Sequence, residues 1–107
     1  MADVIIKVDK SLKDYILVKV IGPLDNRTAE GFDSWLDDFV KQNGANIKVH
    51  FDLSELDIMT SRAVSTLAYY FDVLAKQGGE LKLTKVPEIA KIVLKKLGLD
   101  SLGWIIE

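Results

Sequence analysis

Residues 47–76 constrain this chain more than any other stretch: IKVHFDLSELDIMTSRAVSTLAYYFDVLAK. Ile47, Val49 and Phe51 alternate with Lys48, His50 and Asp52, the period-two pattern of a strand with one buried face. Residues 54–60 follow as a polar loop. Val64, Leu67, Ala68, Phe71, Leu74 and Ala75 then recur every three or four residues, which predicts a helix with one apolar face. That succession puts Thr60 and Ser61 in the first turn of the helix. There the unpaired backbone N–H groups point outward and the helix dipole favours negative charge. Hydroxyls at such a place suit two roles, capping the helix or accepting a phosphate.

The flanking sequence continues the alternation. Val4, Ile6 and Val8 predict a first strand, residues 11–14 a polar turn, and Ile16, Val18 and Val20 a second strand paired to the first as a hairpin. Gly22-Pro23 is expected to stop it, because proline cannot donate to a ladder. Asn26 is the expected cap of a helix whose buried face is Phe32, Trp35, Leu36 and Phe39, with Asp33, Asp37, Asp38 and Lys41 toward water; Asn43-Gly44 ends it. After Gln77-Gly78-Gly79, Leu81 and Leu83 predict a fourth strand. Pro87 suits the first turn of a third helix, with Ile89, Ala90, Val93, Leu94 and Leu97 apolar and Lys91, Lys95 and Lys96 outside. Gly98 caps that helix, and residues 103–106 suit a short last strand. The order β-β-α-β-α-β-α-β implies an α/β fold with a mixed, mostly parallel sheet. The strands are polar at alternate positions, so the helices are expected mainly on one face. Loops 22–26, 54–61 and 85–88 then meet at the carboxyl ends of the parallel strands, the usual place for a site.

Composition narrows the function. A length of 107 residues, 49% of them hydrophobic, suits a single domain, 1–107, with one core. There are no cysteines, so disulfides and thiolate metal sites are ruled out. A formal charge of −2 argues against nucleic acid as the main partner. No apolar run approaches the roughly 20 residues of a membrane span, and the opening MADVIIKVDK is too charged for a signal peptide. A soluble cytoplasmic protein is expected. Asp25 and Asp57 lie on converging loops but lack a histidine, cysteine or glycine-rich loop beside them, so loop aspartates bonding their own turns are the simpler reading. His50, the single histidine, reads as an open-face strand residue. Tyr69 and Val73 lie off the core stripe of the second helix, in line with Arg62, Ser65 and Lys76, as part of a partner surface or as scattered exposed residues.

Four motifs resemble the STAS family, the fold of bacterial anti-sigma factor antagonists. They are Gly22-Pro23-Leu24-Asp25, Phe51-Asp52-Leu53-Ser54 continuing to Leu56 and Met59, Gly78-Gly79-Glu80-Leu81, and residues 94–100, LKKLGLD. The resemblance implies a non-enzymatic interaction module that needs no cofactor and no metal. It regulates an anti-sigma factor that is also a serine kinase, and phosphorylation at the start of the second helix breaks the complex. It places the phospho-acceptor at Ser61, with Thr60 as the alternative, and the docking surface at Leu24, Asp25, Asp57, Met59, Thr60 and Arg62. Thr60 stands where the family has aspartate, Arg62 where it has a small residue, and Ala63 where it has glycine. Arg62 is expected to be a solvated first-turn residue that could also meet a phosphate. The alternative that keeps the fold is a constitutive STAS subunit of a larger assembly, such as a membrane-lipid transporter.

Overall fold

The computed structural model describes residues 3–106. The expected order of elements is present: β1 (Ile5–Asp9), β2 (Ile16–Leu24), α1 (Ala29–Asn43), β3 (Lys48–Met59), α2 (Ser61–Lys76), β4 (Glu80–Thr84), α3 (Glu88–Lys96) and β5 (Ile105–Ile106). They form one five-stranded sheet in the order β1-β2-β3-β4-β5. The β1/β2 hairpin is antiparallel, and the β2/β3, β3/β4 and β4/β5 pairs are parallel. Each crossover therefore steps the same way across the sheet. Right-handed crossovers that all step one way put their helices on one face.

Burial follows that geometry. Val18, Val20, Val49, Phe51, Leu53, Leu81 and Leu83 point from the sheet into a core closed by Phe32, Leu36 and Phe39 of α1, Val64, Leu67 and Leu74 of α2, and Ala90 and Leu94 of α3. Trp104, fully buried, anchors the last segment: its indole N–H donates to the Leu99 carbonyl at 2.8 Å and Phe71 meets it edge-on at 5.3 Å. The opposite face is polar. Lys19 pairs with Glu55, Tyr15 stacks on His50 at 3.9 Å, and Lys82 donates to the Gly103 carbonyl at 2.9 Å. Gly79, after α2, has no room for a side chain, since a Cβ there would run into the backbone carbonyls of Ile47 and Ala45.

Three boundaries differ from the sequence reading. β2 does not stop at Gly22-Pro23 but runs to Leu24, and residues 54–59 are not a loop but the second half of β3. The two extensions hold each other, pairing Gly22 with Leu56, Pro23 with Ile58 and Leu24 with Met59. A register shift at Gly22/Pro23 absorbs the missing proline donor, as a bulge does. Asn26 does not cap α1. The chain turns instead on Asp25, whose carboxylate accepts the N–H groups of Arg27 and Thr28, each at 3.0 Å, while the Thr28 hydroxyl donates to the Pro23 carbonyl at 2.9 Å.

Candidate functional site

The paired tails of β2 and β3 bring the start of α2 beside the start of α1. The N–H of Thr60 donates to the Leu24 carbonyl at 2.9 Å, fixing the junction between β3 and α2 against the end of β2. The Asp25 turn begins one residue beyond that bond, so Asp25, Thr60 and Ser61 share one end of the sheet. The first intrahelical bond of α2 runs from the Val64 N–H to the Thr60 carbonyl at 3.1 Å. The N–H groups of Ser61, Arg62 and Ala63 thus have no partner within the helix, and its first turn holds no acidic residue.

Ser61 is exposed at the first position of α2, and Asp57 is exposed on the last stretch of β3. Asp25 is partly buried, and its carboxyl is held below the usual range by the Thr28 N–H first, then by the Arg27 N–H and guanidinium. Ionised in this way, the carboxylate serves its own turn. Leu24 and Met59, expected on the docking surface, are buried at 0% and 5% exposure and belong to the core beneath it. Neither Thr60 nor Ser61 caps the helix with its side chain. The backbone of Thr60 is extended (φ −92°, ψ 164°), as at an ordinary helix start, yet its hydroxyl is buried and makes no hydrogen bond. Of the two residues, Ser61 is exposed and Thr60 is partly buried with its hydroxyl enclosed.

Arg62 is exposed, as expected, but it is also tied to α1. Its guanidinium pairs with Asp33 of α1 and donates to the Thr66 hydroxyl at 2.8 Å, and that hydroxyl donates to Asp33 at 2.5 Å. Burial would raise the Asp33 carboxyl, but the bonds from Arg62 and Thr66 and the guanidinium charge outweigh it and hold it below the usual range. One turn further, Tyr70 donates to Asp37 at 3.3 Å; burial first, then the Asp37 charge, push its phenol up to about 12. Asp33, Arg62, Ser65, Thr66, Tyr69 and Tyr70 line a shallow groove of about 350 Å³ between the helices, leading away from Ser61. Tyr69 is 64% exposed on its rim. The sequence reading missed this network. Its one local signal is Thr66, a hydroxyl placed among the buried positions of the α2 pattern.

The arrangement presents one accessible hydroxyl at a helix N-terminus, flanked by carboxylates on neighbouring segments. Among the described residues no group of three His, Cys, Asp or Glu side chains is placed to hold a metal ion. No helix among them is long and apolar enough to cross a membrane.

Comparison with known proteins agrees with this architecture. The family model described as STAS domain matches residues 5–107. No curated protein sequence matches. Among solved structures, a putative anti-sigma factor antagonist from Thermotoga maritima superposes with a TM-score of 0.82 at 20% identity, covering 95% of this chain and 86% of that one. The anti-sigma factor antagonist SpoIIAA in its unphosphorylated form gives 0.77 at 16% identity, with coverage of 95% and 86%. The phosphorylated form of SpoIIAA, from Bacillus, gives 0.71 at 16% identity, with coverage of 95% and 89%. Likeness at these identities is likeness of fold.

Proposed function

The chain belongs to the STAS domain family, and from that premise we propose that it is a non-enzymatic, partner-switching interaction module of the anti-sigma factor antagonist type. Its partner in this reading is a cytoplasmic anti-sigma factor that is also a serine kinase. The observation that carries the reading is the exposed Ser61 hydroxyl at the first position of α2, on the sheet end that also holds Asp25 and Asp57. Support comes from the fold shared with SpoIIAA, a protein solved both with and without phosphate.

In this reading Asp25, Asp57, Ser61 and the backbone of Thr60 form the docking surface. Leu24 and Met59 hold it up from below, and Arg62, tied to Asp33, keeps the first turn of α2 against α1. A phosphate on Ser61 adds about −1.5 to −2 charge. The free N–H groups of the first turn suit that anion within the protein itself. A partner surface closed over Asp25 and Asp57 meets it as added like charge in a desolvated contact.

The test is copurification from the native host with wild type, Ser61→Ala and Ser61→Asp as baits. The proposal expects an anti-sigma or kinase-like protein on the first two and its loss from the third. Equal retention on all three would replace the switch with a constitutive STAS subunit of a larger assembly.

A further inference from the structure

A second surface lies at the β1 edge of the sheet, independent of Ser61. β1 pairs with β2 without a register shift, and among the described strands it has no other neighbour. Such an edge presents a row of free backbone groups, which natural sheets shield with a bulge, a proline or charge, or by covering it. β1 has neither bulge nor proline. Ile5 and Val8 stand 53% and 42% exposed on it. Its charges, Lys7 and Asp9, are opposite in sign and two residues apart.

The pairing with β2 assigns each side chain of β1 to a face. Ile6 and Val8 stand opposite Val20 and Val18, on the side that carries the helices. There Val8 borders a hollow of about 380 Å³ with Lys10, Trp35 and Phe39. Ile5, Lys7 and Asp9 stand opposite Ile21, Lys19 and Leu17, on the open side. Lys7 therefore faces Lys19, which already pairs with Glu55, and among the described residues Lys7 has no carboxylate partner. Asp9 accepts the N–H and the hydroxyl of Ser11 on one oxygen, which leaves the other for a partner.

We propose that β1 pairs antiparallel with β1 of a second copy of this chain, about a two-fold axis at Val8. The symmetry sets Val8 against its own copy and Lys7 against Asp9 of the second copy, once on each side of the axis. Opposed residues of an antiparallel pair share a face. The two valines thus meet on the helix side, and both Lys7–Asp9 pairs lie on the open side. Neighbouring registers fail on charge. An axis at Lys7 sets lysine against lysine, and one at Ile6 sets Asp9 against Asp3 of the second copy. Only the Val8 register joins opposite charges, and a second copy carries that complement by symmetry. It also leaves the Ser61 end of the sheet open, because Asp9 lies beside Leu17, at the far end of β2 from Gly22.

The test is sedentation-equilibrium ultracentrifugation of the full chain over a wide range of concentrations, with amide shifts read on an isotope-labelled sample. The expected result is a monomer–dimer equilibrium that salt weakens, with shifts on dimerisation at Lys7, Val8 and Asp9 and none at Ser61. Lys7→Glu turns two attractive pairs into two repulsive ones and should weaken association at least tenfold, as should Asp9→Lys. A mixture of the two variants restores both pairs in a heterodimer and should recover the wild-type association. Lys7→Arg should keep it. If Asp9→Lys folds poorly for want of its bonds to Ser11, the contrast between Lys7→Glu and Lys7→Arg decides the question. A monomer at every concentration, a dimer that Lys7→Glu leaves intact, no recovery on mixing two folded variants, or dimerisation shifts confined to other segments would each overturn the proposal.

Discussion

Replacing Thr60 with valine is expected to stabilise the protein, and the sign of that effect separates two accounts of the start of α2. In the structure the Thr60 hydroxyl is buried and has no hydrogen-bond partner, while the backbone on either side is fully engaged with Leu24 and Val64. A buried, unsatisfied polar atom costs about 1–3 kcal/mol. Thr60 as a whole is only partly buried, so the low end applies. Thr60→Val keeps the shape and the extended backbone, removes the orphaned oxygen, and should gain about 1 kcal/mol, or roughly 4–8 °C in Tm for a domain of this size. A side-chain cap would give the reverse, a loss of about 1 kcal/mol on removing the hydroxyl. The two accounts thus differ by about 2 kcal/mol, well outside the error of urea titration. Ser61→Ala, at an exposed position with no cap bond, is the control and should stay within about 0.5 kcal/mol of wild type. A Thr60→Val protein with a lower urea midpoint and an unchanged m-value would refute the reasoning and restore Thr60 as the helix cap.

Trp104→Ala should cost about 3–5 kcal/mol, since it empties a fully buried indole site and orphans the Leu99 carbonyl; a urea midpoint near that of wild type would contradict the packing described. The depressed Asp33 carboxyl favours the fold in its ionised form. Its contribution is therefore present above about pH 4 and is lost as pH falls through the lowered native value. Asp33→Asn should flatten the acid limb of stability between about pH 4 and pH 2 and leave the slope above pH 5 unaltered, measured by urea unfolding across that range. Tyr70, raised to about 12, should give an ultraviolet ionisation step near that pH that disappears in Tyr70→Phe. The fold favours its neutral phenol, so the associated stability is lost from about pH 10 upward. A step lost near pH 10 in Tyr70→Phe would contradict the bond from Tyr70 to Asp37.

The periodic elements were open to reading because each rests on a local pattern. Phe32, Leu36 and Phe39 in α1, Val49 and Phe51 in β3, and Leu81 and Leu83 in β4 all lie on the buried side their spacing assigns. The second half of β3 was hidden because a register shift breaks the alternation there: Leu56 and Met59 are buried three residues apart, with Asp57 and Ile58 exposed between them. Pro23 reads as a strand stop only when its missing donor matters, and at a bulge it does not. The position of Ser61 at the start of α2 followed from the helix pattern alone. The Arg62–Asp33–Thr66 network joins residues 29 and 33 positions apart in sequence. No local pattern carries information about such a contact, so the tie between Arg62 and α1 was not foreseen. Leu24 and Met59 were misplaced for a related reason, since a motif names residues without saying which side of the sheet end they occupy.

The measurement that bears most directly on the switch is intact-mass spectrometry of the protein isolated from its native cells under several growth conditions, followed by fragment mapping. The account predicts a single added phosphate on Ser61, present in some conditions and absent in others, and none on Thr60, whose hydroxyl is enclosed. A protein that carries no phosphate in any condition, or carries it on Thr60, would contradict it.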